Sequence, residues 1–166
     1  MNAKPAQTAP IEVAPDAMPD LLRLDLQLCF ALYASSNLMT RLYRPLLDPL
    51  GLTYPQYLAM MVLWENSPQT VGALGKRLNL DSGTLTPLFK RLEKAGYVVR
   101  RRDLEDERRV LIELTEEGRA LHDKAAGVPL ALACQLPMAA EDAIALKDML
   151  TRLAAALSEA GGCAPA

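Results

Sequence analysis

Apolar residues recur at spacings of three and four from Leu21 through Leu24, Leu28 and Leu32 to Met39 and Tyr43, and the run LQLCFALYASS at the centre of this stretch is apolar or small at most other positions too. Such spacing is helical, and a helix that is apolar nearly all round has to be buried. A chain of 166 residues builds one core of ordinary size, so the cover expected for this helix is a second copy of the chain. The architecture is thereby narrowed to a homodimer with its first helix in the interface. Cys29 lies inside that run, far along the chain from the next cysteine, Cys134.

The flanks read differently. Residues 1–19 carry Pro5, Pro10, Pro15 and Pro19 with no apolar period, which predicts a disordered arm, and residues 161–166 predict a loose tail. Between them, residues 20–160 form one domain. Pro45, Pro49 and Gly51 are expected to break the first helix. TYPQ restarts the chain as a capping box, with Thr53 at the N-cap, Pro55 in the first turn and Gln56 at the third helical position of a helix over about 55–65. Thr70 caps a short third helix, and after Asn79, Leu80 and Asp81 a fourth runs over about 82–95 to Gly96. Two helices joined so tightly predict a helix-turn-helix. YVVRR and RRVLIEL flank the charged turn RDLEDE as a hairpin. Thr115 caps a fifth helix ending near Pro129 and Pro137, and a sixth follows over about 139–158. The fold class is mainly α with a small β wing. The winged helix-turn-helix occupies about 53–114, between dimerisation helices at about 20–46 and 115–158.

The net charge of −2 does not by itself suggest nucleic acid, but residues 76–109 carry +4 and the remainder −6. A basic face on an acidic molecule is the footprint of a small DNA-binder. The fourth helix turns Leu85, Leu88, Phe89 and Leu92 inward, leaving Ser82, Thr84, Thr86, Lys90 and Arg91 able to enter a major groove. A solvated amphipathic face explains that helix alone equally well. The hairpin tips the balance, because Arg100, Arg101, Arg102, Arg108 and Arg109 crowd one protruding loop and suit a narrow minor groove. Neighbouring Asp103, Glu105, Asp106 and Glu107 leave internal salt bridges as the alternative. Pro87 breaks a helical rule, which points to a functional position, and Gly83 four residues earlier allows close approach to a phosphate.

The strings LTYPQYLAMMVLWE, LDSGTLTPLFKRLEKAGYVVRRR and DERRVLIELTEEG resemble the MarR family of dimeric winged helix-turn-helix regulators, and LCFALYASS narrows the resemblance to its organic-hydroperoxide-responsive (OhrR) branch. It spans about residues 20–158. The resemblance implies a reduced homodimer on pseudo-palindromic double-stranded operator DNA, released when organic hydroperoxides oxidise Cys29. It implies a wing element at Asp106 and Arg108, with Arg108 in the minor groove. It also implies tyrosine hydroxyls of the partner subunit at the sulfur, at positions matching Tyr43 and Tyr54, and Cys134 as the resolving thiol.

Cysteine chemistry with peroxide needs a thiolate. Cys29 is expected a few turns into the first helix, where the dipole helps only weakly, and Asp25 one turn earlier would oppose ionisation. Tyr33, at i+4, would line the pocket with Phe30, Leu32, Met60 and Met61. Taken alone, a free cysteine on an apolar helix such as Cys29 is more often a small core residue. A passive residue at a helix end is the lesser alternative for Cys134, Cys163 has no motif support, and His122 reads as a surface residue. A regulator that answers small phenolic or amphipathic ligands at the same pocket, with Cys29 inert, is the alternative. The chain lacks the strand–helix alternation of a thiol peroxidase and is read as no enzyme. Three scattered cysteines and one histidine suggest no metal or cofactor and a reducing, cytoplasmic setting; the first residues show no basic stretch followed by an apolar one, and no run reaches the roughly 18 apolar residues of a membrane span.

Overall fold

The computed structural model describes residues 21–103, 106 and 109–160. A 3-10 turn at Leu24–Leu26 precedes α1 (Leu28–Leu47), and a second at Asp48–Leu50 follows it. Then come α2 (Tyr54–Glu65), the two-residue strand β1 (Gln69–Thr70), α3 (Val71–Leu78) and α4 (Ser82–Lys94). Strands β2 (Val98–Arg102) and β3 (Val110–Leu114) form the wing. Helices α5 (Glu116–Ala125), α6 (Val128–Ala133) and α7 (Ala140–Ala160) complete the chain. The sheet order is β1-β3-β2, antiparallel throughout, with Gln69 opposite Ile112 and Arg100 opposite the same residue on its other side.

Local chemistry sets most of these boundaries. The Thr53 N–H and hydroxyl both donate to the Gln56 side-chain oxygen, at 2.8 and 2.9 Å, which starts α2. Thr70 and Thr115 cap α3 and α5 by accepting from the Ala73 and Gly118 N–H groups at 3.1 and 2.9 Å. α4 ends where Gly96, at φ +81°, allows the Tyr97 N–H to reach back to the Leu92 carbonyl at 3.0 Å. The joint between α3 and α4 is tighter still. Asn79 adopts the left-handed conformation, and a Cβ on Gly75 would lie 2.8 Å from the Leu80 carbonyl oxygen.

The core sits under the winged helix-turn-helix, where Tyr57, Met60, Leu63, Leu74, Leu85, Phe89, Leu92, Val98 and Ile112 are buried together. Most of α1 and all of α7 lie outside it. Only Leu47 of α1 is buried and no residue of α7 is, while Leu28, Leu38, Ile144, Met149 and Leu157 are exposed on them. That is the unpartnered apolar surface expected of a protomer whose terminal helices belong to a dimer. No helix among the described residues is long and apolar enough to cross a membrane.

Four expectations need correction. The first helix begins at Leu28, not near Leu21, because residues 24–26 take a 3-10 turn that keeps the three-residue spacing without continuing into the α-helix. It passes through Pro45, at the cost of one backbone hydrogen bond to the Arg41 carbonyl, and stops only at Leu47, which is buried. The stretch after the hairpin holds three helices, since Pro129 opens α6, in the first turn where its missing N–H costs nothing. Met60 belongs to the protomer's core and so not to a thiol pocket. The expected arm (1–19), the tail with Cys163, and Arg108 lie outside the described residues.

Candidate nucleic-acid interface and thiol site

α4 presents its polar side because its apolar stripe is fixed inward: Leu85, Leu88, Phe89 and Leu92 are buried, whereas Ser82, Gly83, Thr84, Thr86, Pro87, Lys90, Arg91 and Lys94 are exposed. With 3.6 residues per turn, Gly83, Pro87, Lys90 and Lys94 stand opposite the buried stripe, and Ser82, Thr84, Thr86 and Arg91 flank them. Asp81 caps the helix. One of its carboxylate oxygens accepts the Thr84 N–H at 2.8 Å and the other the Thr84 hydroxyl at 3.0 Å, and these bonds hold its carboxyl below the usual range. The Thr86 hydroxyl donates to the Ser82 carbonyl at 2.8 Å. Both threonine protons are thus committed within the helix. The sequence placed these threonines correctly but did not reveal that engagement, nor that Gly83 and Pro87 stand in the middle of the face; a helical wheel centred on Leu85 and Leu92 would have found the second point.

An open cleft of about 590 Å³ separates α3 and α4 from the wing, lined by Thr70, Lys76, Thr86, Arg109 and their neighbours. Much of the wing's positive charge is tied down: Arg100 pairs with Glu93 at 3.1 Å, Arg101 with Glu113 at 3.4 Å and Arg109 with Asp106 at 3.1 Å. Asp106 therefore helps shape the turn, and its carbonyl also accepts the Arg109 N–H at 2.8 Å. Among the described residues, Lys76, Lys90, Arg91, Lys94 and Arg102 have no ion-pair partner, leaving their charge for an outside anion.

Cys29 is the second residue of α1 and is exposed. The expectation of a thiol deep in the helix is overturned: it sits in the first turn, the end at which a helix favours negative charge. Asp25 is not on its helical face but in the preceding turn, 4.0 Å from Arg23. Phe30 and Tyr33 follow within the next turn, both exposed. Tyr43 and Tyr54 are together, ring centroids 4.5 Å apart, with Tyr57 at 6.0 Å from Tyr43. Burial, then the neighbouring Tyr54 and Tyr57, push the Tyr43 hydroxyl up to about 12; burial pushes Tyr54 up as well. Each phenol stays protonated at neutral pH and can donate a hydrogen bond. Fourteen residues of helix, roughly 21 Å, separate Cys29 from Tyr43 in one protomer. Cys134 caps the C-terminal end of α6 and is exposed.

A second cavity, of about 320 Å³, opens between α2 and α5–α6 and is lined by Tyr57, Met61, Trp64, Glu65, His122 and Pro129. His122 stands edge-on to Trp64 with ring centroids 5.5 Å apart, so the surface histidine of the sequence reading forms part of a cavity wall. No group of His, Cys, Asp or Glu among the described residues is placed to hold a metal ion.

The family model of the transcriptional regulator SarA/Rot matches residues 41–125. The organic hydroperoxide resistance transcriptional regulator of Bacillus subtilis is 51% identical over 134 residues, covering 81% of this chain and 91% of that protein. The chain belongs to the MarR family, in its OhrR branch. Solved structures of MarR regulators agree. AbfR of Staphylococcus epidermidis, reduced and bound to DNA, matches with a TM-score of 0.72 at 37% identity over 86% of this chain and 97% of its own. Its disulfide form matches with a TM-score of 0.57 at 37% identity, over 84% and 98%. The chain is accordingly a redox-sensing, DNA-binding repressor of this branch.

Proposed function

We propose that this chain represses transcription as a reduced homodimer on a pseudo-palindromic operator and releases it when an organic hydroperoxide oxidises Cys29. The observation that carries this reading is the thiol's position: exposed, in the first turn of a helix whose apolar flank has no cover within the protomer. The Cys29 thiolate attacks the terminal peroxide oxygen, the O–O bond breaks, and the departing alkoxide takes a proton to leave as alcohol, giving a sulfenic acid. The thiol of Cys134 of the partner subunit then attacks that sulfur, a disulfide forms and water leaves. The partner subunit's Tyr43 and Tyr54 are the donors assigned to the thiolate, because the roughly 21 Å of helix within one protomer keeps that protomer's own tyrosines away. Ser82, Thr84, Thr86, Lys90 and Arg91 face the major groove, and the wing, with Arg108, the minor groove.

Gel shifts with cumene hydroperoxide test the sensor. Cys29→Ser is expected to hold DNA and ignore peroxide; release of DNA by that variant would sink the mechanism. Non-reducing electrophoresis tests the resolver, with a crosslinked dimer expected only when Cys29 and Cys134 are both present.

The cavity beside Trp64 and His122 favours a second reading, in which a small phenolic or amphipathic ligand sets DNA affinity. Retained ligand-induced release after Cys29 is blocked would select it.

A further inference from the structure

The recognition helix carries an unusual set of groups where it would go deepest into a groove. Gly83, Pro87 and Lys90 stand opposite the buried stripe, and Thr84 and Thr86 flank them. Neither threonine has a proton to offer DNA, since Thr84 gives its own to Asp81 at 3.0 Å and Thr86 to the Ser82 carbonyl at 2.8 Å. A threonine whose oxygen is drawn back to its own helix turns its methyl group elsewhere. Pro87 has no N–H and presents only ring carbons. Gly83, one turn earlier, adds no side chain, so nothing holds this strip off the base edges. Phosphates have their own partners, because Lys90, Arg91 and Lys94 carry charges with no ion-pair partner among the described residues.

The major-groove feature that matches a surface of methyl and methylene groups is the thymine C5-methyl, which cytosine and the purines lack. Resting on the reading of this face as the DNA interface, we propose that α4 selects its operator by apolar contact of the Pro87 ring and the Thr84 and Thr86 methyl groups with thymine methyls, and not by threonine hydroxyl hydrogen bonds. Lys90 and Arg91 then fix register on phosphate or guanine, and thymine at the positions under the strip supplies the discrimination.

The test separates methyl from hydroxyl. A duplex selected by the reduced protein from a random pool is resynthesised with uracil replacing one thymine at a time, which removes one methyl group and nothing else. Burying one carbon is worth about a fourfold change in affinity, and that loss is expected at two or three positions of each half-site. Thr86→Ser keeps the hydroxyl and loses the methyl, so it is expected to bind thymine and uracil alike at one of those positions. Thr86→Val keeps a methyl and loses the hydroxyl, and should discriminate like the parent. Pro87→Ala, which removes a helix-breaking residue from an exposed site, should erase the uracil penalty at another position. A selected duplex indifferent to uracil throughout, or Thr86→Ser keeping the penalty while Thr86→Val loses it, overturns the proposal alone. A pool yielding no bound duplex overturns the DNA interface and the proposal with it.

Discussion

Gly118 shows how much one position can carry. Its N–H caps onto Thr115, its carbonyl accepts the Trp64 indole N–H at 2.8 Å, and a Cβ there would run into the Tyr97 carbonyl oxygen. Gly118→Ala should lower stability by about 1–3 kcal/mol, the usual cost of overpacking, as measured by urea denaturation. Tyr43 makes a prediction about pH. Its hydroxyl is raised in the folded protein to about 12 from 10.0, so the folded state holds the proton more tightly than the unfolded one. This contribution to stability is complete below pH 10 and is lost as pH rises through about 12. Tyr43→Phe should flatten that alkaline loss, followed by phenolate absorbance and circular dichroism together. Residue-scale chemistry was partly legible in sequence. Thr53 with Gln56, and Thr70 and Thr115 as caps, follow from local rules. The inward-turned hydroxyls of Thr84 and Thr86 do not, because a threonine's rotamer depends on acceptors that exist only once the helix has formed.

At the scale of elements, α4 and the wing divide the electrostatic work unequally. Three wing arginines are neutralised within the protomer, while Lys90 and Arg91 on α4 are not. Replacing Lys90 with Ala should therefore cut the slope of log affinity against log salt by about 1.8 for the dimer, twice the ~0.9 expected for one phosphate contact. Arg100→Ala should leave that slope nearly unchanged; filter binding over a salt series measures both. The helix-turn-helix and hairpin were legible because Gly, Asn and capping residues punctuate them. Two features were not. A 3-10 turn and an α-helix share the three-residue apolar step, which hid the start of α1 at Leu28 and with it the first-turn position of Cys29. Strand β1 has only two residues, too short for any alternation to register.

At the scale of the whole described chain, a buried core is flanked by two largely exposed helices. α1 and α7 expose Leu28, Leu38, Ile144, Met149 and Leu157, so the protomer leaves unsatisfied the surface that its first-helix sequence pattern foretold. A paired Met149→Asp and Ile144→Asp substitution should shift the protein toward monomer in sedimentation, and abolish tight operator binding with it, because two half-sites need two rigidly spaced helices. Thr70 connects that large-scale behaviour to the wing. It pairs with Leu111 as the last residue of β1 and, through its side chain, opens α3. The hairpin and the helix pair thus meet at a shared residue. A tilt imposed from the base of the molecule is therefore expected to move wing and helix pair together, loosening the grip on both grooves at once.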